Sequence, residues 1–317
     1  MASLKEIKGR INSIQSTQKI TSAMRMVASA KLHHTQGMNE NFLRYMNSLH
    51  SIMDSLRSNE NYQNQQETLA LSNTTQQEET SSYLNKTPQS NSIALITISS
   101  NSGLCGAFNS NIAKATFKEI ESLKNEYDKI ILIPIGKKIA QELKKENISY
   151  NPDFIELADN AIKEDGFNAI IKLANLLNTL HSNGEIQEAI ILSHHFKSMG
   201  SQIITKKTLE LSNATHTRNT QSKQQDQKNL LDSTSEFLTE PSQQELINSL
   251  HPQLINAELY GTILDSLTSE HASRMLAMQT ADDNANDLLK ELTLLYNKTR
   301  QQAITNELID IMGGKTE

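Results

Sequence analysis

The sequence predicts an α/β domain inserted between two long helices, one at each end of the chain, that pair as an antiparallel coiled coil. Three observations carry this expectation. Residues from about Asn256 to Met312 run without proline while apolar or small side chains return every three or four positions. The N-terminal stretch from Leu4 to Leu56 shows the same spacing. Between residues 93 and 211, short aliphatic runs alternate with helical patterns.

In the C-terminal stretch the repeat falls on Leu264, Leu267, Met278, Ala281, Ala285, Leu288, Leu292, Leu295 and Ile309. Such alternation averages about 3.5 residues, the repeat of one helix winding on another, and a helix of this length is roughly 80 Å long. It needs a partner. The N-terminus offers one through Leu4, Ile7, Ile11, Ile14, Thr21, Ala28 and Leu32. The register is expected to slip near Gly37 and to resume at Met38, Phe42, Tyr45, Leu49, Ile52 and Leu56. Residues 1–57 carry eight Lys/Arg against three Asp/Glu, whereas residues 256–317 carry five against ten. Surface pairs are weak and screened by salt, so opposite charge selects the partner more than it stabilises the pair. Two amphipathic helices of an ordinary bundle share this periodicity and are the alternative. The paired helices are assigned to residues 1–57 and 246–317.

Residues 58–92 and 212–245, rich in Gln, Asn, Ser and Thr, read as polar linkers. Between them, Ile93–Ile98, Ile130–Ile135 and Ala189–Leu192 read as buried strands, with a fourth over Gln202–Leu211. Helices are expected over about 109–125, 136–146 and 160–181, the last with Ile170, Leu173, Leu177 and Leu180 on one face. Strands and helices in alternation give a largely parallel, Rossmann-like sheet over 93–211.

Hydrophobic residues make up 37% of the chain and Trp is absent, as expected where long helices expose much of their surface. A formal charge of −6 argues against general nucleic-acid binding. A single cysteine excludes an intrachain disulfide. No apolar run approaches the roughly 20 residues of a membrane span. The first thirty residues are basic and Ser-containing, like a mitochondrial transit peptide, but the helical repeat passes straight through them. The segment is therefore read as structural, and the setting as the cytoplasmic side of a bacterium.

Candidate chemistry is sparse. Ser99–Gly106 lies between a strand and a helix, where a phosphate loop sits, but it lacks the GxxxxGK[ST] pattern and its lysine. Cys105 has no obvious His partner in that turn. The doublets His33-His34 and His194-His195 lack metal-ligand spacing, because adjacent strand residues face opposite sides and neighbouring helix residues point about 100° apart. Asp282-Asp283 reads as a solvated helix face. No catalytic residue, metal site or cofactor follows from these residues.

The termini carry a resemblance. Ile7-Lys-Gly-Arg-Ile-Asn-Ser-Ile-Gln-Ser-Thr-Gln-Lys-Ile-Thr-Ser-Ala-Met-Arg-Met-Val-Ala-Ser-Ala-Lys31 resembles the N-terminal signature of the gamma subunits of F-type ATP synthases. Ser269–Met278, Asp283-Asn284-Ala285 and Glu291–Leu308 are similar to their C-terminal signature, and Gly103-Leu-Cys-Gly106 to the short loop after their first strand. The resemblance implies a non-catalytic rotor: a coiled-coil shaft inside a hexamer of alternating alpha and beta subunits. The α/β domain becomes a foot which, with the epsilon subunit, rests on the membrane-embedded ring of c subunits. It implies a peripheral place on the cytoplasmic side of the bacterial inner membrane. By matched position it implies that Met24, Arg25, Arg274, Gln301, Thr305 and Glu307 face the hexamer. Phe237 and Glu240, in Phe237–Pro241, are implied to face the ring. The chain departs from the family pattern at Asn101-Ser102, where an acidic–basic pair is usual, and at Thr239, where an aromatic is common. Two other readings stand beside it. One is an enzyme with a sugar- or nucleotide-handling α/β domain and a helical oligomerisation hairpin; the other is a scaffold coiled coil that dimerises between chains.

Overall fold

The computed structural model describes residues 4–71, 91–160, 166–211, 240 and 242–313. Two helices dominate it: α1 spans Leu4–Leu71 and α6 spans Gln243–Gly313. Between them lie β1 (Ser92–Ile98), α2 (Phe108–Leu123), β2 (Lys129–Ile135), α3 (Lys137–Lys145), α4 (Leu157–Asn160), α5 (Gly166–Ser182), β3 (Glu188–Ser198) and β4 (Ser201–Leu209).

The four strands form one sheet in the order β2-β1-β3-β4. β1 runs parallel to both β2 and β3, in register from Ser92↔Lys129 and Ile93↔Glu188, while β4 folds back antiparallel on β3. β1 is buried at every position, so its side chains alternate between two apolar layers. Ile93 and Leu95 pack with Ile112, Ile120, Ile139 and Leu143 of α2 and α3. Ala94, Ile96 and Ile98 face the other way, onto Ile170, Leu173 and Leu177 of α5.

The second layer also holds Ile255, Leu259, Ile263 and Leu267 of α6. Leu267, expected on the helix–helix seam, thus belongs to the core of the sheet domain. A third cluster joins the long helices: Met46, Leu49, Met53 and Leu56 pack on Ile247, Leu254 and Ala257. α6 is therefore shared between the sheet domain and the rod.

The two long helices run antiparallel. Gln18 Nε2 donates to Asn286 Oδ1 at 2.7 Å, and Gln243 donates to the Leu56 carbonyl at the opposite end. Between these, Phe42 and Tyr260 meet edge to face with centroids 4.8 Å apart. Burial on α1 recurs without a break at Leu4, Ile7, Ile11, Ile14, Gln18, Thr21, Arg25, Ala28, Leu32, Thr35, Asn39, Phe42, Met46, Leu49, Met53 and Leu56, each buried or half-buried. On α6 it recurs at Ile247, Leu250, Leu254, Ala257, Gly261, Leu264, Thr268, His271, Met275, Met278, Asp282, Ala285, Leu289, Leu292, Tyr296, Thr299 and Ala303. Both series step by three and four throughout. Gly261 admits the Phe42 ring, which lies 3.1 Å from where a Cβ would stand.

The expected slip near Gly37 does not occur. The seam passes through polar Thr35 and Asn39, so Tyr45 and Ile52, which an apolar count places inside, stand exposed. On α6 the same shift leaves Leu288 and Leu295 exposed, and Ile309 is exposed beyond the last seam position, Ala303. Three element boundaries also move. The polar run after residue 57 contains neither Gly nor Pro up to Pro88, and α1 continues through it to Leu71. α6 begins at Gln243 and continues through Pro252. An interior proline costs a helix about 3 kcal/mol; burial of Ile247, Leu254 and Ile255 on both sides of it offsets that. β3 runs on to Ser198, because beyond Leu192 it has left β1 and pairs with β4 alone. The rest of the expected linkers, 72–90, 212–239 and 241, and residues 161–165 of the helix expected over 160–181 lie outside the described residues.

Gly136 closes the crossing between β2 and α3. Its φ is +103°, and a Cβ there would stand 2.2 Å from the Ser99 carbonyl oxygen. Gly136→Ala is expected to cost about 2–5 kcal/mol, from backbone strain plus the clash, read as a lower urea midpoint by circular dichroism.

Candidate functional site

The carboxyl ends of parallel strands, where strand order reverses, are where open α/β sheets usually bind ligands. Here that point lies between β1 and β3, and side chains fill it. The His194 ring stacks on Phe108, the first residue of α2, with centroids 3.9 Å apart. Burial lowers the pKa of His194 to about 4, and neither of its ring nitrogens has a hydrogen-bond partner among the described residues. His195, on the opposite face of β3, reaches Asp265 Oδ2 of α6 from Nδ1 at 2.6 Å, and the Phe196 amide donates to Asp265 Oδ1 at 3.0 Å. The doublet divides as strand geometry requires. His33 and His34 are both exposed on α1. Among the described residues no cluster of His, Cys, Asp or Glu could hold a metal.

The loop after β1 is closed on itself. The Ser100 amide donates to Asn109 Oδ1 at 3.1 Å, while Asn109 Nδ2 donates to Ser100 Oγ at 2.7 Å and contacts Cys105 Sγ at 3.1 Å. Ser100 Oγ donates to the Ser102 carbonyl at 2.6 Å. Cys105 is buried, whereas Leu104 stands outward in a left-handed conformation with φ +63°.

The residues implied to face a surrounding hexamer divide into two groups. Gln301, Thr305 and Glu307 are exposed near the end of α6, where Thr305 Oγ1 donates to the Gln301 carbonyl. Met24 is half-buried on α1, beside exposed Met26 and Val27. The two arginines are engaged within the chain. Arg25 occupies a seam position, donates to Gln279 and lies 3.8 Å from Asp282. Arg274 binds Glu270 Oε1 at 2.7 Å, one helical turn back, and Ser102 Oγ of the loop at 2.8 Å. Of the ring-facing pair, Glu240 is exposed just before α6, and Phe237 lies outside the described residues.

Sequence reasoning missed the carboxylates that fasten the sheet domain to the rod. Asp265 holds β3 as above. Glu258 is buried between His50 of α1, at 3.5 Å, and Lys207 of β4, at 3.4 Å. Their signal was present: acidic residues spaced among Leu259, Ile263 and Leu264 cannot all face water.

A family model described as ATP synthase matches residues 3–316. The chain is 43% identical over 317 residues to an ATP synthase gamma chain of Parabacteroides distasonis, covering 99% of this chain and 98% of that one. It is 39% identical over 319 residues to one of Bacteroides thetaiotaomicron, with 100% of both chains covered. In fold it is similar to a chain of the rotor of the Euglena gracilis mitochondrial ATP synthase, with a TM-score of 0.56 at 16% identity, covering 95% of this chain and 98% of that one. A chain from the central stalk and c-ring of the Tetrahymena thermophila mitochondrial enzyme gives a TM-score of 0.52 at 21% identity, covering 83% and 99%.

Two buried imidazoles make the fold sensitive to acid. His271, on the rod seam, has its pKa lowered to about 4 by burial and by the nearby charges of Arg274 and Lys31. His194 is lowered equally, by burial alone. Unfolded histidines bind a proton near pH 6.5, so stability is fully present above that pH and lost as pH falls toward 4. At pH 5 each is expected to remove roughly 2 kcal/mol relative to pH 7, measured by urea unfolding. His194→Leu is expected to make the loss shallower.

Proposed function

Because the chain belongs to the family of ATP synthase gamma chains, we propose that it works as the enzyme's central shaft, coupling ion-driven rotation to ATP synthesis and hydrolysis elsewhere in the complex. In this reading the chain does no chemistry of its own. α1 and α6 form a left-handed antiparallel coiled coil, supported by unbroken three–four stepping on both helices. The rod lies in the bore of a hexamer of alpha and beta subunits, and the sheet domain is the foot that meets the epsilon subunit and the c-subunit ring. No helix among the described residues is long and apolar enough to cross a membrane. The chain then reaches the cytoplasmic face of the bacterial inner membrane through the ring.

One observation carries this reading beyond the family match: α6 supplies side chains both to the sheet domain's core and to the rod's seam. A torque applied to the foot is borne by the same continuous helix that presents the rod, with no hinge between them. The rod's cross-section is unequal, since α1 brings mostly cations and the far half of α6 mostly anions. Each surrounding catalytic site therefore meets a different face at each angle, and a rigid element biases sites that have distinct states. Met24, Gln301, Thr305 and Glu307 are proposed to touch the hexamer directly. Arg25 and Arg274 meet it from within their intrachain bonds, and Phe237 and Glu240 are proposed to face the ring.

Co-expression with the cognate alpha and beta subunits tests the proposal. One copy per hexamer is expected on sizing, with sustained ATP hydrolysis that depends on this chain and rotation of a probe fixed to the sheet domain. Absence of association, or ATP turnover by this chain alone, overturns it.

A further inference from the structure

Arg274 projects from α6 toward a loop that sequence assigns to the sheet domain. Its guanidinium binds Ser102 Oγ at 2.8 Å and approaches the Gly103 carbonyl at 3.5 Å. Glu270 holds the same Nη2 at 2.7 Å, and His271 Nδ1 lies 3.4 Å from Nη1. Both members of the Arg274–Glu270 pair are close to buried, with side chains 12% and 9% exposed. Charge-assisted bonds are among the strongest a side chain makes, and here they are largely shielded from water.

The loop's other bonds hold its base: Ser100 Oγ donates to the Ser102 carbonyl and Asn109 Nδ2 contacts Cys105 Sγ. Ser102, Gly103, Leu104, Gly106 and Ala107 are all exposed, and only Cys105 turns inward. Leu104 is held in the left-handed region with its side chain outward, a conformation that costs a non-glycine residue energy unless its surroundings enforce it. On α6, Ala277 faces Gly106, with 3.7 Å between its methyl carbon and the position of an added Cβ. Ser273 also donates to Gln202 of the β3–β4 hairpin at 2.9 Å, so adjacent α6 residues grip two separate parts of the sheet domain.

We propose that Arg274 is a latch: by bridging Glu270 of α6 to Ser102 and Gly103, it ties the Ser102–Gly106 loop to the rod, so that the loop's outward face is set by α6 as well as by the sheet domain. Arg274 is in this sense a positioning residue. Its guanidinium is engaged within the chain, and besides its own contact it offers a partner the loop it holds. The latch does not depend on the shaft reading, and it is tested on the isolated full chain.

Cys105 is the chain's only cysteine and is 2% exposed, so labelling of the native protein by a thiol reagent such as DTNB reports opening of this loop. Arg274→Gln, which breaks the nearly buried pair with Glu270 and so lowers the urea midpoint, is expected to speed labelling roughly ten-fold or more beyond what that fall accounts for. Ser102→Ala, which leaves the rod untouched, is expected to speed it in the same direction, and Arg274→Lys to fall between wild type and Arg274→Gln. Wild-type labelling rates in both Arg274→Gln and Ser102→Ala overturn the latch. So does acceleration matched by an equal fall in the urea midpoint, since the thiol then reports global unfolding. If Arg274→Gln does not fold, Ser102→Ala alone decides.

Discussion

Everything in this chain depends on α6 satisfying two sets of neighbours at once. Over residues 254–272 every position is buried or half-buried, because the helix is wrapped by α1 on one side and by the sheet and α5 on the other. An ordinary surface helix buries one stripe; a helix buried all round must find partners in every direction. That explains the carboxylates of this segment. Glu258 and Asp265 lie at the borders between the two apolar faces, and each is matched by donors from the sheet domain: Lys207 for the first, His195 and the Phe196 amide for the second. A buried carboxylate left without such partners is costly, so these ties fix the angle at which the domain sits on the helix.

The same helix changes character along its length. Near Met53 and Leu254 the seam is aliphatic, as expected where burial drives association. Toward Gln18 and Asn286 it becomes polar, and helix pairing is there made by named hydrogen bonds: Gln18 to Asn286, and Arg25 to Gln279. Apolar seams tolerate slips of register, whereas a polar pair is satisfied in one register only. Ile7, Ile11, Ile14, Leu289 and Leu292 still bury apolar surface at the narrow end of the rod, and these directional contacts add alignment to it.

How much of this could be read from the sequence follows from which signals are local. The four strands and the existence of both long helices were legible, because apolar periodicity reports them directly. The seam register was not. Counting apolar residues selects Tyr45, Ile52 and Leu288, which are exposed, and passes over Thr35, Asn39, Thr268 and Asp282, which are buried. Thr35 and Thr268 satisfy their hydroxyls on carbonyls of their own helix, at 3.1 and 2.8 Å, so each fits a seam position that its polarity alone argues against. The extension of α6 through Pro252 was hidden for the opposite reason. Local propensity forbids it, and packing from Met46, Met53 and Leu56, more than 190 residues away in sequence, overrides the propensity. Arg25 and Arg274 were legible as residues of consequence, but their partners lie across the fold and no spacing along the chain announces them.

The sheet domain carries a lesson about what a fold is used for. Its topology provides the crevice at which related sheets hold ligands, at the carboxyl ends of β1 and β3. In this chain Phe108 and His194 stack across it, and Ser100, Asn109 and Cys105 bond among themselves behind. An imidazole buried with no partner on either nitrogen among the described residues is a poor choice for stability alone, and it makes the domain sensitive to acid. Filling the crevice nonetheless removes the one place where such a sheet is free to open and close around a ligand. With β3 and β4 pinned to α6 by Asp265 and Ser273, and the neighbouring loop pinned by Arg274, the domain has no loose edge facing the rod. A catalytic α/β domain keeps its switch point open because its work is done there. A domain whose work is to transmit a turn has reason to close it, since any motion at the crevice would be rotation lost between the foot and the helix it drives.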